Sequence, residues 1–92
     1  MIRVFLSPRY LKSLSKLTPE QRAVAEDVLR KVMDSFGEPH RHGGLGLRKL
    51  TPTNYECRID LRWRILLRLR GDNLLAIEVM SHEEIRAFIR NS

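Results

Sequence analysis

Cysteine is nearly absent from this chain of 92 residues. The single Cys57 excludes an internal disulfide and any zinc site built on cysteines, and it suits a reducing compartment. No apolar run reaches the roughly 20 residues of a membrane-spanning helix, and Pro8 and Arg9 interrupt the short run Ile2 to Leu6. Neither a spanning segment nor a secretory signal is expected, and the expected location is the cytoplasm. Acid is scarce relative to base: 11 Asp and Glu face 17 Lys and Arg, a net charge of +6. A surface of that sign favours nucleic acid or an acidic protein. Most of the excess is Arg, whose planar fork suits bidentate phosphate contacts. With 42% hydrophobic and 30% charged residues and no low-complexity segment, the chain reads as one ordinary globular domain over residues 1–92.

Its organising stretch is Tyr55 to Met80. Read as strands, Tyr55, Cys57, Ile59 and Leu61 share one face, with Glu56, Arg58 and Asp60 on the other. Trp63, Ile65, Leu67 and Leu69 then oppose Arg64, Arg68 and Arg70. One face is core and the other is mostly basic. Leu74 to Met80 follows the turn residues Gly71, Asp72 and Asn73 and completes a meander.

The rest reads as cover for this sheet. Ile2 to Leu6 is a short edge strand, and Ser7 caps a helix with Pro8 in its first turn and Tyr10, Leu11, Leu14 and Leu17 at helical spacing. Thr18, Pro19 and Gln21 open a second helix through a capping box; Val24, Val28, Leu29, Val32 and Phe36 form its stripe and Gly37 ends it. Gly37 to Gly46 reads as a loop without periodicity. His40 and His42 invite a metal reading, but no further ligands are marked nearby, so the expectation is a mobile basic loop with no metal and no cofactor. Ser81 and Glu84 form another capping box, opening a short last helix with Ile85, Phe88 and Ile89. His82 stands where the last strand becomes that helix. The expected fold is α+β: a small, mainly antiparallel sheet of about four strands, an N-terminal helical hairpin on one face and a short C-terminal helix, in the order β-α-α-β-β-β-α.

This order, with Gly44-Leu45, Arg48-Lys49-Leu50, Tyr55-Glu56-Cys57-Arg58-Ile59, Trp63-Arg64-Ile65-Leu66 and Val79-Met80-Ser81-His82-Glu83-Glu84-Ile85, resembles the RelE/ParE superfamily of bacterial type II toxins. The ending resembles the RelE and YafQ branches more than the ParE branch. The resemblance implies a cytoplasmic toxin that cuts messenger RNA in the ribosomal A site by attack of a 2′-hydroxyl. It also implies a cognate antitoxin, encoded adjacently, and a toxin-antitoxin hetero-oligomer. The other implied possibilities are a ParE-like inhibitor of DNA gyrase that performs no chemistry and a RelE-fold binding protein without activity.

The resemblance aligns Arg58 with a strand lysine of RelE and a histidine of YafQ, and Arg64 with the arginine after the aromatic residue of the next strand. It aligns His82 with a histidine of YafQ. It implies a catalytic set of His82, Arg64, Arg58 and Glu56, and RNA contacts from Arg48, Lys49, Arg62, Trp63, Arg68 and Phe88. Guanidinium groups stabilise phosphate charge but titrate too high to exchange protons near neutrality, whereas a histidine side chain ordinarily titrates near ~6.5 and suits general acid or base work. Trp63 and Phe88 could each stack on a base or belong to the core. Glu56 and Glu78 stand where relatives carry cations, and Glu56 could accept a proton opposite His82 or pair with Arg58 or Arg64.

Overall fold

The computed structural model describes residues 1–91. Five strands, β1 (Arg3–Leu6), β2 (Arg48–Lys49), β3 (Asn54–Arg58), β4 (Trp63–Arg70) and β5 (Asn73–Ser81), form one sheet in the order β1-β5-β4-β3-β2. β1 pairs with β5 in parallel, and every other pair is antiparallel. Four helices accompany it: α1 (Pro8–Ser13), α2 (Pro19–Ser35), α3 (Pro39–His42) and α4 (His82–Arg90). Among the described residues no helix is long and apolar enough to cross a membrane.

Caps set the helix boundaries. The Ser7 hydroxyl accepts from the Tyr10 amide, and Thr18 with Gln21 and Ser81 with Glu84 each form a reciprocal capping box. Cys57, Ile65, Leu67, Ala76 and Val79 project to one side of the sheet and meet Tyr10, Leu17, Ala25, Leu29 and Val32 in the main core. Leu66, alternate to Ile65 and Leu67, points to the opposite side, where α4 lies against β4 and β5 and buries Ile85. α4 thus covers only part of that second face.

Beyond the end of β1, α1 takes over the β5 edge with side chains in place of a strand. The Ser7 hydroxyl donates to the Ile77 carbonyl at 2.9 Å and Ser13 accepts from the Val79 amide at 2.8 Å. Lys16 Nζ donates to the Val79 carbonyl at 3.0 Å. Unpaired backbone groups at a strand edge are costly when covered, and these bonds satisfy them.

Several expectations need correcting. The sheet has five strands rather than about four, because Arg48 and Lys49 pair with Glu56 and Tyr55. The segment expected as an irregular loop contains α3 and a 3-10 turn at Gly43–Leu45. In α2 the buried position belongs to Ala25, and Val24 is exposed; Leu11 in α1 is exposed as well. Leu61, expected on the core face, is 86% exposed. The Ile59 amide bonds the Trp63 carbonyl at 3.0 Å, and the Asp60 carboxylate accepts from the Arg62 and Trp63 amides at 2.9 and 2.7 Å. This aspartate-closed turn ends the strand alternation before Leu61.

Candidate functional site

The pleat places Glu56, Arg58 and Arg64 on the side of the sheet away from the main core. Arg58 is directly opposite Arg64, and Glu56 is opposite both Arg48 on β2 and Leu66 on β4. His82 enters from the first position of α4, and its amide donates to the Arg62 carbonyl at 2.7 Å, tying the β5–α4 junction to the β3–β4 turn. Arg48, Glu56, Arg58, Arg64 and His82 line one groove of about 360 Å³, closed on one side by Gly43, Gly46 and Leu47.

Arg64 is almost wholly buried, at 8% exposure. Its Nη1 donates to the carbonyls of Asp60 and Trp63, and its Nε lies 3.3 Å from Glu56 Oε1. Glu56 is 5% exposed, and its Oε2 lies 3.7 Å from Arg48 Nη2 with no hydrogen-bond partner. Of its two expected fates, ion pairing is the one seen in the structure, with Arg64 rather than Arg58. His82 Nδ1 is likewise buried without a partner. Buried polar atoms are normally bonded, so these two atoms are free to take a partner that enters the groove. Three guanidinium groups against one carboxylate make the groove cationic, suited to a phosphodiester. The imidazole and the carboxylate add groups able to move protons.

Residues 26–87 match the sequence model of the ParE-like toxin domain, two thirds of the chain. The chain belongs to the ParE-like toxin domain family. The fold of this toxin domain is similar to that of the RelB-RelE antitoxin-toxin complex from Methanococcus jannaschii, with a TM-score of 0.69 at 15% identity over 91% of this chain and 96% of that one. It is also similar to a copper-bound mutant toxin from Helicobacter pylori, with 0.55 at 18% over 92% and 99%. The E. coli DinJ-YafQ complex gives 0.52 at 12% over 92% and 98%. At these identities the likeness is one of fold. No curated protein matches the chain in sequence.

Other expected contact residues of this toxin domain lie elsewhere. Lys49 is opposite Tyr55, whose neighbours are on the core face, so it does not join the groove. Trp63, partly buried, packs against the main core with the Arg62 guanidinium 4.8 Å above its ring. Arg62 and His82 border a neighbouring hollow of about 400 Å³. Arg68 bonds Asn54 Oδ1 at 3.1 Å, about 13 Å along β4 from Arg64. Phe88 flanks a separate depression with Met80 and Ala87.

Glu78 is held by Arg9 at 3.0 Å and Lys16 at 3.5 Å on the α1 side, two strand spacings from Glu56, so the second anion does not load the groove. His42 stacks on Phe36 with ring centroids 5.8 Å apart, and its Nε2 bonds the Ser35 carbonyl at 3.1 Å. It is a brace for the α2–α3 corner. His40 is exposed, and no group of three or more candidate metal ligands occurs among the described residues. The glycine-rich wall of the groove was missed in the sequence; the signal available was the cluster Gly43-Gly44-Leu45-Gly46, separated by Leu47 alone from the basic pair Arg48-Lys49.

Proposed function

We propose that this toxin is an endoribonuclease that cuts messenger RNA in the ribosomal A site and is silenced by a cognate antitoxin. The observation that carries the reading is the convergence of Arg48, Glu56, Arg58, Arg64 and His82 on one groove of the sheet face that the helical hairpin leaves open. In the proposed reaction the substrate's own 2′-hydroxyl attacks the adjacent phosphorus and the bond to O5′ breaks, leaving a 2′,3′-cyclic phosphate and a free 5′-hydroxyl. The proton lost by the 2′-hydroxyl passes to Glu56 Oε2, and His82 supplies a proton to the departing O5′. Arg58 and Arg64 hold the non-bridging oxygens as negative charge develops on them, and Arg48 completes the phosphate site. Arg64, held by Glu56 and backbone carbonyls, is a fixed donor that can stabilise that charge without having to reorganise.

The groove is open and offers few contacts to a free strand, which supports a requirement for the ribosome to hold the message in an attackable geometry. The partner is expected to be an acidic, amphipathic segment covering the basic groove, supplied by an antitoxin encoded next to this chain and acting in the cytoplasm. Two of the fold neighbours are toxin-antitoxin complexes, which supports such a partner.

Induced expression with transcript-end mapping tests the reading. Wild-type protein should halt translation and leave new transcript ends, and His82→Ala should abolish both. Filamentous cells with intact transcripts and stalled replication would replace it with gyrase inhibition.

A further inference from the structure

We infer that Gly46 is a positioning residue whose missing side chain lets the loop before β2 hold Arg58 in its phosphate-binding conformation. This rests on the nuclease reading for its consequence, but its geometry stands apart from it. Gly46 has φ +63, a left-handed conformation that disfavours a side chain. Independently, a Cβ at this position would lie 2.7 Å from Arg58 Cβ, 2.9 Å from Nε and 3.2 Å from Nη2. The first of these contacts is with the root of the arginine side chain, so a flexible tip cannot simply swing aside. Arg58 therefore folds along the loop backbone from its stem to its guanidinium.

The loop itself is fixed. The Gly46 amide donates to the Gly43 carbonyl at 3.1 Å and the Leu47 amide to the His42 carbonyl at 3.0 Å. Leu47 is buried in the main core, and His42 is braced on Phe36. Arg58 is otherwise an exposed side chain at the end of β3 with many rotamers to lose on binding an anion. Resting it on a rigid, Cβ-free surface removes much of that cost before RNA arrives. In the same conformation Arg58 also lines a second hollow, with Gly44, Leu45 and Leu61.

The test compares wild type with Gly46→Ala and with Gly46→Asn, the latter because asparagine tolerates positive φ and so adds the same Cβ with less backbone strain. Nitrogen-15 relaxation of the Arg58 Nε–H group in the free protein should show it ordered in wild type and as mobile as exposed Arg70 in Gly46→Asn. Transcript cleavage should fall at least about tenfold in Gly46→Asn, yet Gly46→Asn/Arg58→Gly, in which the clashing Arg58 Cβ is also gone, should cut no more slowly than Arg58→Gly alone. An Arg58 side chain equally mobile in wild type and variant, or a Gly46→Asn loss undiminished in the Arg58→Gly background, would overturn the inference. If wild type orders Arg58 but cuts no RNA, the nuclease reading fails while the positioning role stands.

Discussion

Arg64 Nε sits 3.3 Å from Glu56 Oε1, two groups with side chains 10% and 6% exposed on adjacent strands of the same sheet face. A buried pair of this kind is costly to break from one side, because the remaining charge stays in low dielectric without its partner. Glu56→Ala and Arg64→Ala should each destabilise the fold by about 3 kcal/mol, measured by urea unfolding, while Arg58→Ala, at an exposed position, should change stability by less than about 0.5 kcal/mol. Loss of cleavage in Arg64→Ala therefore has to be read beside its unfolding curve, whereas loss in Arg58→Ala or His82→Ala bears on chemistry directly.

Ser81 both caps α4 and precedes His82. Its hydroxyl accepts from the Glu84 amide at 3.1 Å, and the Glu84 carboxylate accepts from the Ser81 amide at 2.8 Å. Ser81→Ala should cost about 1 kcal/mol in stability and, by loosening the first turn that aims His82, reduce cleavage at least about tenfold. Ser81→Asp, which retains a cap acceptor, should recover most of both in parallel unfolding and cleavage assays.

The acid limb of stability belongs partly to Asp60. Burial raises its carboxyl, but the Trp63 amide, the Gln21 side chain, the Arg62 amide and the Arg64 guanidinium outweigh that and hold it below the usual range. A lowered folded value means that the stability it contributes is present above the unfolded carboxyl's titration and is lost as pH falls through the folded one. Urea midpoints measured from pH 6 down to pH 2 should fall less steeply in Asp60→Asn than in wild type.

The alkaline limb has the opposite sign. Burial, with the Glu56 carboxylate adding to it, pushes the Cys57 thiol up from 9.0 to about 12. Burial, with Cys57 and Glu26, pushes the Tyr10 hydroxyl up from 10.0 to about 12. Raised folded values give stability that is complete below pH 9 and lost as the pH rises to about 12. Cys57→Ala should lessen that loss, and in native wild type a thiol reagent at pH 8 should label Cys57 only at the rate of unfolding.

Much of this was legible in the residues. Alternation along Tyr55 to Arg70 separated the core from the basic face, and the caps at Ser7, Thr18 and Ser81 marked three helix starts that the structure contains. The RelE/ParE resemblance agrees with the family match and with the fold neighbours. What escaped was set by tertiary context. Periodicity alone could not show that Asp60 closes a turn and expels Leu61, or that a two-residue strand at Arg48 and Lys49 would carry one basic side chain to the groove and the other away. Trp63 was open between stacking and core, and Glu78 was read only as an anion at a cation position of its relatives; what they do depends on Arg62, Arg9 and Lys16, partners that spacing does not reveal.

The sharpest measurement uses purified toxin on ribosomes carrying a defined message in the A site, in two forms that differ only by a 2′-deoxy substitution at the scissile nucleotide. Wild type should cut the all-ribose message, leave the deoxy one intact and yield a 2′,3′-cyclic phosphate, with His82→Ala at least about a hundredfold slower. Cutting of both messages alike, or an undiminished rate in a folded His82→Ala protein, would contradict the assignment of this groove as the place where RNA is cleaved.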